Sequence, residues 1–164
     1  MLDLLPEICD KYSEKINVLP PMFQSFGAKE SFWGEVMTLK AFEDNSKIRE
    51  LAAQDGTGKV LVVDSGGSKN RAMLGDMLAA KAASNGWQGV IIHGCVRDVN
   101  ALARIELGIQ ALAAHPLKTD KRGLGDINVP VRIGGVEIVA GDFIYADKNG
   151  VLVSKTPLDL AALT

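Results

Sequence analysis

Apolar residues fall in short runs separated by glycine, proline and polar breaks. With Leu2 to Lys11 helical, Leu4, Leu5 and Ile8 share one face. Pro20-Pro21 punctuates the next stretch, and Glu35 to Phe42 alternates as a strand does. Asn45 or Ser46 is placed to cap a helix running through Ala53, which Asp55-Gly56-Thr57-Gly58 ends. Lys59 to Val63 is a Val-rich continuous run, the pattern of a strand covered on both faces. After a loop at Asp64 to Ser68, Asp76 to Asn85 reads as a helix, with a capping acid, an Ala-rich interior and Gly86 past its end. Gly89 to Ile92 is a second buried strand. Asp98 to Leu107 reads as another helix closed by Gly108, and Ile109 to Ala113 as a further strand.

The order strand–helix–strand–helix–strand predicts parallel β-structure with right-handed crossovers. The remainder differs. Val131 to Ile133 and Val136 to Val139 flank Gly134-Gly135, a hairpin with a two-glycine turn. Phe143 to Ala146 and Val151 to Ser154 flank Asp147 to Gly150 as a second hairpin. The expected class is α/β, a parallel βαβ segment followed by antiparallel hairpins, in one domain over residues 1–164. His115 to Asn128, with Pro116, Gly123 and Gly125, is the longest irregular piece and a candidate surface or subunit-contact loop.

Composition narrows the function classes. The 164 residues are 47% hydrophobic and 23% charged, ordinary values for a soluble globular domain. Eighteen basic against 20 acidic side chains give a net charge of −2, without the basic excess of a dedicated nucleic-acid binder. Direct nucleic-acid binding is not expected; a protein partner stays open. Cys9 and Cys95 form neither a disulfide framework nor a zinc pattern. The N-terminus, with Asp3 and Glu7, lacks a signal-peptide layout, and no apolar run reaches membrane-spanning length. The expected compartment is the cytoplasm, with no membrane association.

Several motifs fail on their own residues. Gly58-Lys59 lacks the P-loop's upstream glycine and following hydroxyl, since positions 53 and 60 are Ala and Val. Asp64-Ser65-Gly66-Gly67-Ser68 glances at the glycine loop of an S-adenosylmethionine-dependent methyltransferase, but Ser68 stands at its last position. The plainer reading gives Gly66 and Gly67 positive φ in a tight loop. His93 ends an apolar strand and reads as a hydrogen-bonded, partly buried histidine. Cys95 has no activating base nearby in sequence and reads as a small packing residue.

One constellation survives. Gly75-Asp76-Met77-Leu78 opens one predicted helix, and Arg97-Asp98 opens the next, with twenty residues between Asp76 and Arg97. Ligands of open α/β sheets sit outside the carboxyl ends of strands, where helix-start amides bind carboxylate or phosphate. Carboxylates with water suit Mg²⁺ or Mn²⁺, and an Arg fork grips the carboxylate of an α-keto acid. Either Asp also serves stability alone as a helix cap. A Schiff-base route would use Lys81, the nearest lysine, which lies more than a turn past Asp76 and ranks below the metal.

The chain resembles the RraA-like family, which includes the regulator of ribonuclease activity A and the 4-hydroxy-4-methyl-2-oxoglutarate aldolases. The likeness runs from Ile8-Cys9-Asp10 to about Leu158. It includes Phe42-Glu43-Asp44-Asn45, Val60 to Asp64, Gly75 to Leu78, Asn85 to Gly89, Gly94 to Val99, Gly141-Asp142 and Ala146-Asp147. The resemblance implies a swivelling β/β/α domain assembled as a homotrimer or dimer of trimers, with sites at subunit interfaces. It implies that Asp98 holds a divalent cation, Mg²⁺ or Mn²⁺. Arg97 and the backbone of Gly75, Asp76, Met77 and Leu78 would bind the pyruvyl part of a small α-keto acid, and Asp76 would orient a metal-bound water. The implied activity is a class II aldolase that releases pyruvate from 4-hydroxy-4-methyl-2-oxoglutarate, with oxaloacetate decarboxylation through the same enolate. The alternative it implies is a regulator that binds and inhibits ribonuclease E. Longer aldolases of the family carry a C-terminal helical segment that delivers a carboxylate to a neighbour's site. With its sequence running to Thr164, this chain is expected to lack that segment.

Overall fold

The computed structural model describes residues 3–163, so Leu2 of the expected first helix lies outside the described residues. The elements in order are α1 (Leu4–Tyr12), β1 (Ile16–Val18), β2 (Gln24–Ser25), β3 (Phe32–Lys40), α2 (Ser46–Ala52), β4 (Lys59–Asp64), β5 (Ala72–Leu74), α3 (Asp76–Ser84) and β6 (Gly89–Val96). They continue with α4 (Val99–Leu102), β7 (Gly108–Ala114), β8 (Asp126–Ile127), β9 (Val131–Ile133), β10 (Val136–Ile138), β11 (Phe143–Asp147), β12 (Gly150–Ser154) and a 3₁₀ turn at Leu160–Ala162.

Ten strands form one mixed sheet whose main path is β1-β12-β11-β3-β4-β6-β7-β2, with β5 added on β6 and β8 on β3. Its centre is parallel, β3 with β4, β4 with β6 and β6 with β7, as the alternating pattern predicts. Side-chain alternation sorts the buried strands onto two faces. Leu61, Val63, Val90 and Ile92 meet Ile48, Leu51, Ala79, Ala82 and Leu102 from the helices. Val60, Val62 and Ile91 meet Val131, Ile133 and Ile138 of the β9-β10 hairpin. The continuous apolar runs are thus covered on both faces, but one cover is a two-stranded sheet rather than a helix layer. A third cluster packs Leu4, Leu5 and Ile8 of α1 on Tyr145 and Leu152.

Three expectations change. The second hairpin does not stand apart: β11 pairs with the first half of β3, and β12 with β1, so it extends the large sheet. The strand expected over Gly89 to Ile92 runs on to Val96, because Cys95 and Val96 pair with both β5 and β7. The helix expected over Asp98 to Leu107 is a single turn, Val99–Leu102. Arg104 and Ile105 then bond back three residues rather than four, and Leu107 is already buried, delivering Gly108 to its register with Gly89. The short strands β1, β2, β5 and β8 had no apolar alternation long enough to read.

The irregular loop after β7 is tied to the start of α2. Asp44, fully buried, accepts the amides of Arg122 (2.9 Å) and Leu124 (3.0 Å) at Oδ2, and the amide and hydroxyl of Ser46 at Oδ1. It is therefore Asp44, not Asn45 or Ser46, whose carboxylate satisfies the first turn of α2; the Asn45 side chain makes no capping bond. Burial raises the pKa of Asp44, but the bonds from Ser46, Leu124 and Arg122 outweigh it and bring the pKa from 3.8 to about 2.

Two stability predictions follow from this packing. The Phe32 ring lies against Gly89 and Gly108, where an added Cβ on either would overlap it. Gly108→Ala is expected to cost about 1–3 kcal/mol in urea unfolding. Because the folded-state pKa of Asp44 is depressed, its contribution is complete above about pH 4 and disappears as pH falls towards 2. Asp44→Asn should be less stable at pH 7 and should lose less further stability between pH 4 and 2 than the parent protein in acid titrations followed by circular dichroism.

Candidate active site

The carboxyl ends of β5 and β6 lie side by side, Leu74 opposite Val96, and each strand is followed at once by a predicted site segment. Arg97 donates its amide to Leu74 O at 2.9 Å, locking the two exits together. The twenty-residue separation of Asp76 and Arg97 is thus one helical crossover, α3, closed by a strand that returns parallel to β5.

Asp98 does not cap its own helix. It adopts a left-handed backbone (φ 59°, ψ 43°) and makes no side-chain bond to α4. Its Oδ2 instead accepts the Asp76 amide at 3.0 Å, so Asp98 caps α3 from across the crossover. Asp76, expected as the capping acid, is the first helical residue, and Gly75 is the N-cap. Gly75 leaves room for this contact, because a Cβ there would overlap Asp98 Oδ2. With the Asp76 amide engaged, the amides of Met77 and Leu78 remain without intrahelical partners by position. Arg97 Nε lies 4.0 Å from Asp98 Oδ2, and its Nη1 donates to Pro116 O at 3.4 Å; both side chains are a little over one-third exposed.

These residues share one cleft of about 330 Å³. Gly75, Asp76, Met77, Leu78, Arg97 and Asp98 all line it, so every site residue expected from sequence comes together. Met77 is 83% exposed at its mouth. Lys81, the nearest lysine in sequence, lines it as well, placed there by its spacing of three from Leu78 and four from Met77 on α3. Arg49, Lys118 and Lys121 also contribute and were missed. Arg49 stands four residues after Asn45, which is itself a lining residue, whereas Lys118 and Lys121 sit in the irregular loop, where no periodicity marks them.

The donor set fits a hard divalent cation. Asp98 Oδ1 and both Asp76 carboxylate oxygens accept no hydrogen bond among the described residues, and one or two carboxylates completed by water and ligand oxygens is the ordinary Mg²⁺ arrangement. Among the described residues, no cluster of three or more His, Cys, Asp or Glu side chains provides an all-protein metal cage.

The other candidates resolve structurally. Gly66 and Gly67 have φ of 68° and 73°, as the tight-loop reading requires. Asp64 Oδ1 accepts the Gly66 amide, and Gly67 donates to His93 O of β6, so both glycine amides of that loop are engaged by the protein itself. His93 Nδ1 is 3.5 Å from Asp64 Oδ1, and the residue is partly buried. Cys95 is fully buried, and burial pushes its thiol pKa up. Asp142 and Asp147 are buried acids with structural partners. Lys155 and the Val139 amide satisfy Asp142, and the Leu5 and Asn149 amides satisfy Asp147. No helix among the described residues is long and apolar enough to cross a membrane.

The family described as RraA-like, Aldolase/RraA, matches residues 5–153. A protein of Pseudomonas fluorescens (strain SBW25), named "Putative 4-hydroxy-4-methyl-2-oxoglutarate aldolase", is 59% identical over 155 residues, covering 94% of this chain and 95% of the relative. Among solved structures, the RNA-processing inhibitor RraA from Thermus thermophilis superposes with a TM-score of 0.92 at 42% identity, covering 97% of this chain and 96% of the other. A structure named S-adenosylmethionine: 2-dimethylmenaquinone methyltransferase, from Geobacillus kaustophilus HTA426, gives the same TM-score at 39% identity, covering 98% of this chain and 99% of the other. With a family match over nearly the whole sequence and near full-length agreement in fold, the chain belongs to the RraA-like family.

Proposed function

We propose that the protein is a divalent-metal-dependent carbon–carbon lyase that cleaves 4-hydroxy-4-methyl-2-oxoglutarate to two pyruvate molecules and decarboxylates oxaloacetate at the same site. The observation that carries this reading is the meeting of Arg97, Asp98, Asp76 and the start of α3 in one cleft, in a chain 59% identical to a protein named for that aldolase reaction.

Both reactions leave a pyruvate enolate. Aldol cleavage removes the proton of the C4 hydroxyl, breaks the C3–C4 bond and leaves its electron pair on the enolate; decarboxylation releases CO₂ and leaves the same species. The unengaged amides at the start of α3 and the Arg97 fork hold the pyruvyl carboxylate. Arg97 adds positive charge where the enolate oxygen develops, the kind of preorganised stabilisation that dominates many active sites. The Asp76 carboxylate orients a water that carries the proton away from the hydroxyl and returns one to C3. Asp98, held in place by the Asp76 amide, anchors Mg²⁺ or Mn²⁺, and when bound the ion supplies Lewis-acid stabilisation of the enolate. A Schiff base at Lys81 is the competing route. Lys81 lines the cleft more than a turn along α3 from Asp76, and the metal route is preferred.

A methyltransferase activity, for which one relative is named, is not proposed, because the glycine loop's amides are already engaged, Gly66 by Asp64 Oδ1 and Gly67 by His93 O of β6. Regulation of RNA processing is the second reading, favoured by the 42% identity to a protein described as an RNA-processing inhibitor. On that reading the protein binds ribonuclease E through a surface separate from Arg97-Asp98. Pull-down should then survive Asp98→Ala.

For assembly and location, the proposals are a homotrimer or dimer of trimers of swivelling β/β/α domains in the cytoplasm. The two edge strands of the large sheet, β1 and β2, have three and two residues and leave backbone groups for a neighbour to cover. Light scattering should return three or six times 17.5 kDa, and a monomer at micromolar concentration would overturn this.

In assays of pyruvate release, EDTA should abolish activity and Mg²⁺ or Mn²⁺ restore it. Asp98→Ala and Arg97→Lys should each lose about 10²–10³ in rate, the second because an ammonium cannot reproduce the planar fork. Full activity in EDTA, or a borohydride-trapped pyruvyl adduct on Lys81, would end the metal mechanism.

A further inference from the structure

At the end of the sheet opposite the cleft, β3 and β11 set three aromatic rings and a carboxylate on one face. In their register Trp33 stands opposite Tyr145 and Glu35 opposite Phe143, and residues two apart on a strand share a face. β3 runs parallel to β4, and β4 to β6, so Trp33 and Glu35 lie at the amino end of the strands whose carboxyl end carries Arg97-Asp98. The segment after β12 supplies the facing wall. Between them is a cavity of about 430 Å³ lined by Trp33, Glu35, Phe143, Tyr145 and Asp159. A second cavity of about 310 Å³, bounded by Leu4, Ser31, Trp33 and Leu160, adjoins it, and the two share Trp33 and Leu160.

The facing wall is fixed. Tyr145 Oη accepts the Leu158 amide at 2.8 Å, Tyr12 Oη donates to Asp159 O at 2.7 Å, and the Ala161 amide donates to Asp159 Oδ1 at 3.1 Å. The negative charge, in contrast, is unspent. Among the described residues, neither Glu35 nor Asp159 is in an ion pair, not even Glu35 with Lys59, its register partner on β4. No Lys or Arg lines either cavity. Trp33 is 45% exposed, a large apolar surface left open beside two carboxylates. Ring faces and carboxylates both attract cations, and neither favours an anion. The adjoining apolar cavity gives room for the hydrocarbon part of the same ligand.

We propose that this double cavity binds an organic cation with an apolar stem, an alkylammonium or alkylguanidinium. Its head sits between the Trp33 ring and the carboxylates of Glu35 and Asp159, and its stem runs past Trp33 towards Leu4 and Leu160. A free amine and an arginine or lysine side chain of a partner present the same chemistry to this site.

The test is titration of the intact protein with hexylammonium, hexanol and hexanoate, with affinity read by ligand-observed saturation-transfer NMR and location by tryptophan emission. The other of the two tryptophans, Trp87, is 4% exposed, so the emission change reports Trp33 and should vanish in Trp33→Leu. Hexylammonium should bind about tenfold more tightly than hexanol, the order that a cation–π contact and two exposed ion pairs provide together, and hexanoate more weakly than either. Glu35→Gln/Asp159→Asn keeps the shape of both side chains at exposed positions. It should remove most of the preference and leave hexanol affinity within about twofold. The peptide acetyl-Leu-Arg-amide separates the sources: tighter binding than hexylammonium assigns the site to a partner's side chain, and weaker binding assigns it to a free amine. Equal binding of hexylammonium and hexanol, a preference that survives the double variant, or an emission change that survives Trp33→Leu would each overturn the proposal, as would failure of both cations to bind.

Discussion

Strand β6 is hydrogen-bonded on both edges and buried on both faces. β4 and then β5 pair with one edge, β7 runs along the other, and only His93 among its eight residues is not fully buried. No other placement satisfies both its backbone groups and its continuous apolar side chains. A one-residue shift would turn Val90 and Ile92 towards the β9-β10 hairpin and Ile91 towards the helices, undoing the packing of both faces. Its carboxyl end is therefore a fixed point, and Arg97-Asp98 hang from it.

The same logic explains why the cleft is preorganised. β5 ends beside β6, so the start of α3 is delivered to Asp98, and one hydrogen bond, Asp76 amide to Asp98 Oδ2, couples the two site segments. Asp98 accepts a left-handed backbone to make it, a conformation more accessible to Asp than to most residues and typical of sites where geometry outranks local comfort. The helix that Asp98 heads is left as a single turn without a side-chain cap, which is consistent with its carboxylate being spent elsewhere.

The opposite wall depends on a second carboxylate of a different kind. Among the described residues, Asp44 has no cation within ion-pair distance; it accepts four hydrogen bonds, two from Ser46 and two from loop amides. Hydrogen bonding to the charged form outweighs the cost of burial, which is why its pKa falls rather than rises. The pair of acids divides the cleft: Asp98 fixes the wall at the start of α3, and Asp44 fixes the loop that carries Lys118 and Lys121.

Local sequence determined the elements whose periodicity is strong. The Val-rich run at Lys59 to Val63, the Ala-rich helix from Asp76 with Gly86 beyond it, and the two-glycine turn at Gly134-Gly135 all form where the pattern puts them, because each states its own burial or turn geometry. Gly75 to Leu78 and Arg97-Asp98 were legible too, since a strand end followed by a helix start marks a ligand position in an α/β sheet. Only the tertiary structure decided that Asp98 caps α3 rather than α4, that β11 joins β3 instead of standing as a free hairpin, and that a loop without periodicity completes the cleft. Each of these rests on partners distant in the chain. Asp44 meets Arg122 and Leu124, and Phe143 meets Glu35, through contacts that no window of neighbouring residues contains.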